Sequence, residues 1–258
     1  MFQGLLKKDF LLIKNYFWLW LTLVLAAYFC GVAFAVYYGK FYLVFPFLFA
    51  IYFFHVGLLG ITEMMLLKSE EKGHYWLHGT AGGIKLLLSK MLIGLLVFFV
   101  SLVLTDVLAL ISLNIALPEG LINTSDNRLP YTEGFLLNIA LTAGALYFAI
   151  WGLFLWTVYH SLNGYPVLKK IRWLLVMGVY FLVQWGTAKV MQIPLIQKWF
   201  ASWTVNIGET GESAWGIGGM RFSVVNGDLQ LWPMILSILF HVALFLAAAW
   251  LLNRKVEV

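Results

Sequence analysis

The chain has 258 residues, of which 62% are hydrophobic, 17% aromatic and only 11% charged. So few charges cannot coat a soluble globule of this size, which excludes a water-soluble protein and makes lipid the solvent for most of the chain. The formal net charge of +5 informs through its distribution rather than its total, and the single cysteine, Cys30, allows neither an intrachain disulfide nor a cysteine zinc site.

The N-terminal stretch FQGLLKKDFLLIK sets Phe2, Leu5, Leu6, Leu12 and Ile13 on one broad helical face, with Gln3, Lys7 and Lys14 opposite. It predicts an amphipathic interfacial helix over 1–16, with Lys7, Lys8 and Lys14 toward anionic lipid headgroups. Asp9 is the misfit, because it projects from the apolar side. It pairs with a lysine or caps a neighbouring helix, or else it contacts a cytoplasmic partner. The apolar run that follows is longer than a signal-peptide core and no A-x-A site follows it, so it reads as a retained span.

A span needs about 20 apolar residues. Six stretches qualify, 17–38, 42–67, 86–114, 134–160, 173–192 and 230–252. The expected fold is an all-α integral membrane protein, a single domain over 1–258, with a short helical re-entrant or outer insertion before the last span. Orientation follows from Lys and Arg. With the N-terminus inside, Lys7, Lys8, Lys14, Lys68, Lys72, Lys85, Lys90, Lys169, Lys170, Arg172, Arg254 and Lys255 are cytoplasmic. Only Lys40, Arg128, Lys189, Lys198 and Arg221 fall outside. The expectation is a multi-pass protein of the cell membrane with both termini cytoplasmic and no nucleic-acid partner.

Between the second and third spans, 68–85 becomes a charged cytoplasmic loop, and from its later part into the third span the chain reads HGTAGGIKLLLSK over 78–90. The glycines and lysines suggest a phosphate cradle, but a P-loop needs G-x-x-x-x-G-K-[ST]. Here Ile84 precedes Lys85 and Leu86 follows it, so the register fails. Before the last span, 193–229 is expected outside. Leu195, Ile196, Trp199, Phe200 and Trp203 recur at helical spacing after Pro194, predicting a short outer-leaflet or re-entrant helix over 195–205. The Gly-rich 206–228 that follows reads as an exposed loop.

Ionisable groups inside spans are costly and are functional candidates by default. His55 and His241 fall near the middles of the second and sixth spans, Glu63 toward the inner end of the second, and Asp106 in the outer part of the third. His55 and Glu63 are too far apart on one helix to share an ion without a third element. A neutral imidazole bonded to a neighbouring helix is the competing account of His55, and pairing or water contact that of Asp106. Tyr147, Trp151 and Phe154 form a stripe in the fourth span, which is either helix packing or the lining of a pathway for a greasy substrate. H-E-x-x-H and G-x-S-x-G are both absent, and the polar groups are scattered in depth, so no catalytic site and no metal site are expected.

The order of parts resembles that of the permease subunits of ABC transporters of the ABC-2 type. Two stretches carry the resemblance by residues: Leu5-Leu6-Lys7-Lys8-Asp9-Phe10-Leu11-Leu12, and Lys68-Ser69-Glu70-Glu71-Lys72-Gly73 with the downstream His78-Gly79-Thr80 and Leu87-Leu88-Ser89-Lys90-Met91-Leu92. The chain departs from the family pattern at Ala81-Gly82-Gly83 and at His74-Tyr75-Trp76. The resemblance implies that the loop carries a coupling helix, with Glu70, Glu71, Lys72, His74, Tyr75, Trp76 and Leu77 docking on a separate ATPase. ATP and Mg would bind to that partner, and this chain would bind no cofactor of its own. It further implies a dimer with a second permease copy or paralogue, and export of an amphipathic or antimicrobial peptide or another lipid-like molecule. The competing class is an integral-membrane enzyme or a scaffold that works without an ATPase.

Overall fold

The computed structural model describes residues 2–73, 82–116, 122–123, 131–164, 168, 170–207, 214–217, 220–223 and 227–254. Seven helices account for most of them: α1 Phe2–Tyr38, α2 Val44–Gly73, α3 Gly83–Ala116, α4 Tyr131–Ser161, α5 Arg172–Met191, α6 Pro194–Phe200 and α7 Leu231–Arg254. All but α6 are long and apolar enough to cross a bilayer, so the chain is an all-α integral membrane protein with six spans. Proline marks several starts. Pro46, Pro194 and Pro233 fall in the first turns of α2, α6 and α7, where the missing N–H has no intrahelical acceptor to lose.

The span ends differ from the sequence expectation in one systematic way. The expected interfacial helix over 1–16 does not break from the first span; α1 is one helix of 37 residues. At 1.5 Å per residue it is about 55 Å long, against a hydrocarbon core of about 30 Å. Likewise α2 runs on through the charged Lys68–Gly73, so the first part of the expected loop 68–85 is helical and its last residues open α3. Hydrophobicity ends where water begins, but backbone hydrogen bonding need not.

The chain forms two compact units. The first comprises Met1–Leu66, Ser89–Phe148 and Thr210–Val225; the second comprises Leu67–Leu88, Ala149–Glu209 and Asn226–Val258. In the first unit α1, α2 and α3 bury two apolar clusters. One contains Val24, Tyr28, Ala35, Val44, Leu48, Ile51 and Leu108, and the other Ile13, Phe17, Leu58, Leu66, Ile93 and Val97. The chain reverses after α1 at Gly39, whose φ of 62° is left-handed and suits glycine.

The segment 206–228 is not all loop. Short strands β1 Ile122–Asn123, β2 Thr204–Ile207, β3 Ala214–Ile217, β4 Met220–Ser223 and β5 Gly227–Gln230 form two antiparallel sheets. In the first unit the order is β1-β3-β4, with Ile217 opposite Met220; in the second, β2 pairs with β5 from Thr204↔Gln230 to Ile207↔Gly227. The expected helix over 195–205 therefore stops at Phe200. Of its apolar face only Phe200 is buried, while Trp199 stacks on Trp232 at 4.5 Å and Trp203 meets the same ring edge-on at 5.7 Å.

In the second unit the start of α3 is clamped to the end of α7. The Gly83 N–H, an orphan donor of the first turn, donates to Asn253 Oδ1 at 2.6 Å. A Cβ on Gly83 would lie 2.8 Å from the Ala249 carbonyl oxygen and 2.8 Å from Asn253 Oδ1. The backbone oxygen cannot swing aside, so this position admits glycine alone. Gly83→Ala is expected to lower stability by about 1–3 kcal/mol and Asn253→Ala by about 1 kcal/mol, both measured by thermal unfolding in detergent. An unchanged Gly83→Ala melting temperature would remove the clamp.

Candidate functional site

Inside hydrocarbon an unmet polar group is expensive, so the partners of each intramembrane polar side chain decide what it can do. In the first unit these partners form rungs between α1 and α3. At the N-terminal end Asp9 is buried and accepts from Ser89 Oγ–H at 2.6 Å and from Lys90 Nζ at 3.3 Å, with Lys8 Nζ at 3.8 Å. Further along, Trp20 Nε1–H donates to Ser101 Oγ at 2.7 Å. Tyr28 and Ser112 lie 3.1 Å apart; Ser112 donates to the Leu108 carbonyl, so the tyrosine hydroxyl is the donor between them. Partners on the two helices stay 80 to 84 residues apart, which is the signature of parallel helices in register.

A second set of rungs joins α3 to the antiparallel α2. His55 is wholly buried. Its Nδ1 lies 2.8 Å from the Ile51 carbonyl and must donate to it, while Nε2 lies 2.9 Å from Ser101 Oγ. With the hydrogen of a neutral imidazole on Nδ1, Nε2 accepts, and Ser101, which accepts from Trp20, donates its own proton to it. Every hydrogen is then accounted for with a neutral imidazole. Asp106 accepts from Tyr52 O–H at 2.6 Å on one oxygen and from Asn138 Nδ2 at 2.8 Å on the other, tying α3 to both α2 and α4.

Glu63 differs from these. It is 0% exposed, and neither carboxyl oxygen has a hydrogen-bond partner.

The other expected residues are dispersed. Lys7 and Lys14 are exposed, as a headgroup contact requires. Asp9 follows the pairing alternative and contributes nothing to an exposed contact surface. Glu70 is buried, at 0% exposed. Glu71 and Lys72 belong to the last turn of α2. His74, Tyr75, Trp76 and Leu77 lie outside the described residues.

In the second unit Trp151 is buried, its ring 5.0 Å from Tyr180 on α5 and 6.2 Å from Phe240 on α7. It packs between these helices. His241 Nδ1 donates to the Ser237 carbonyl at 2.6 Å on its own helix. Sequence reasoning missed Ser101 and Ser89, whose only signal was a hydroxyl inside an apolar run. It also missed the group between the end of α4 and the start of α5, in which Arg172 donates to Asn163 and stacks 3.9 Å over the Tyr159 ring.

The chain is similar to the uncharacterized protein YhcE of Bacillus subtilis (strain 168), 27% identical over a 276-residue alignment that covers 100% of this chain and 99% of that protein. No family model matches the chain, and no solved structure matches it.

Two outcomes check the rungs. Asp9→Ala, which removes the buried acceptor of both Ser89 and Lys90, is expected to cost about 3–5 kcal/mol, and Asp9→Asn, which keeps an acceptor oxygen for Ser89, should cost less. Ser101→Ala removes the partner of both Trp20 and His55 and should cost about 1–3 kcal/mol, more than Trp20→Phe, which leaves the Ser101–His55 bond in place. Unfolding monitored by circular dichroism in detergent measures both; equal losses for Ser101→Ala and Trp20→Phe would contradict the hydrogen assignment.

Proposed function

We propose that the chain is the membrane subunit of an ATP-driven exporter, coupled to separate ATPase subunits through the segment between α2 and α3. The observation that carries the reading is the mechanical setting of that segment. Leu67–Leu88 belongs to one compact unit with α5 and α7, and its exit is held by the bond from Gly83 to Asn253. A push on this segment would therefore be passed directly to α3 and to the end of α7. Two packings of the spans, with the partner shifting the balance between them, are all that alternating access requires of this chain.

The internal bonding supports the same reading. His55, Asp106 and Asp9 are satisfied by neighbouring helices, an arrangement suited to holding helices in register and not to binding a reacting group. The distribution of Lys and Arg supports cytoplasmic termini, which puts the segment within reach of a soluble ATPase. The ATPase would hold ATP and Mg, and a second copy or paralogue of this chain would complete the pathway. The exposed Leu195, Trp199 and Trp203 around α6 offer an apolar and aromatic surface, which suits an amphipathic peptide or lipid-like substrate. Export as the direction follows from the resemblance.

Docking is assigned to the stretch Glu70, Glu71, Lys72, His74, Tyr75, Trp76 and Leu77, of which Glu70 is buried. Purification of the tagged chain from its native host is expected to bring with it a soluble subunit and ATP hydrolysis. Glu71→Ala with Tyr75→Ala and Trp76→Ala should abolish both while leaving the melting temperature unchanged. Hydrolysis that survives this triple change would place the docking elsewhere, and a wild-type preparation without any ATPase would end the exporter reading.

A further inference from the structure

The antiparallel register between α2 and α3 sets a polar side chain on each helix at two rungs, Tyr52 with Asp106 and His55 with Ser101. Continued toward the other end of the pair, the same register brings Glu63 opposite Gly94, which has no side chain to offer. A Cβ built on Gly94 would stand 3.7 Å from Glu63 Cγ and 2.7 Å from Leu59 Cδ1, so the helices meet closely there. On its own helix Glu63 lies between Leu59 and Leu66, one turn to either side and both buried, with Ile93 and Val97 of α3 buried at this level. Of the ionisable groups buried on these helices, Asp9 bonds to Ser89 and Lys90, His55 to Ile51 and Ser101, and Asp106 to Tyr52 and Asn138, while Glu70 lies two turns along α2. The result is a carboxyl enclosed by hydrocarbon with no donor on either oxygen.

An ionised carboxylate in that setting would be an uncompensated buried charge, which proteins avoid by neutralising the group. We propose that Glu63 is an intramembrane proton-binding site, a carboxylic acid that holds its proton in the α2–α3 contact and can release it only when water reaches Gly94. A bound metal cation would neutralise the same charge, but hard cations require several ligands, and among the described residues no group of three or more His, Cys, Asp or Glu could hold one. The inference is independent of the ATPase reading, and either can fail alone.

A hydrophobic carbodiimide tests it on the purified full-length protein. The carboxylic O–H adds across a C=N bond of dicyclohexylcarbodiimide to give an O-acylisourea, which rearranges to an N-acylurea. Nothing leaves, so the protein gains the mass of the whole reagent. Peptide mass mapping should find this adduct on Glu63 and not in Glu63→Gln, and labelling should fall by about tenfold per pH unit once the acid begins to ionise. A water-soluble carbodiimide with an amine nucleophile should leave Glu63 unmodified.

A second measurement does not depend on reagent access. Glu63→Gln mimics the neutral acid and should melt at or above the wild-type temperature in neutral buffer, with the difference widening as the pH is raised. The proposal is overturned by absence of the hydrophobic adduct, by modification with the water-soluble reagent, by protection with sodium, potassium or magnesium salts, or by a Glu63→Gln variant less stable than wild type.

Discussion

The bond from Asp9 to Lys90 and Ser89 is the constraint on which the arrangement of the first unit rests. An acid on the apolar side of an amphipathic stretch cannot be left facing lipid. It can snorkel to water or draw a cation into the protein, and here it does the latter. The consequence is topological as well as energetic. Because Asp9 is held by α3, the first residues stay in line with the span that follows, and α1 continues unbroken to Tyr38 instead of bending into the headgroup plane. The pair also fixes the register that Trp20–Ser101 and Tyr28–Ser112 then repeat.

The same economy appears in the remaining hydroxyls. Thr62, Thr105 and Thr142 each donate to the carbonyl four residues earlier on their own helices, so they need nothing from a neighbour. Groups that cannot satisfy themselves locally, the indole of Trp20 and the carboxylates of Asp9 and Asp106, are those that reach between helices. Interhelical specificity is therefore concentrated in a few rungs, with apolar packing filling the space between them.

The six spans were legible in the sequence because length and hydropathy decide them with little help from tertiary context. Asp9 was legible as a misfit, although its partner was not: that Lys90 and Ser89 would face it depends on two helices lying parallel, which no local pattern encodes. The burial of Glu70 was hidden for a related reason. In a run of Lys and Glu at a helix end, solvation is the ordinary fate, and burial depends on neighbours contributed by distant segments. The strands β3 and β4 were missed even though Gly218-Gly219 separates the runs AWGI and MRFS, a spacing that suits a two-residue hairpin. Four-residue strands bury too little to produce an alternation that stands out from a Gly-rich loop. Of the candidate site, the identity of the intramembrane acids could be read from the sequence, but the difference between the paired Asp106 and the unpartnered Glu63 could not, because it turns on Tyr52 and Asn138 in one place and Gly94 in the other.

The helix α5 has no buried residue along its 20 positions. Its rise of about 30 Å matches a typical hydrocarbon thickness, whereas α1 to α4 overreach it and can shift along the membrane normal without leaving the acyl region. This helix has no such reserve. A thicker membrane would strand its polar ends and a thinner one would force it to lean, so sensitivity to lipid chain length is concentrated in this one segment of the protein.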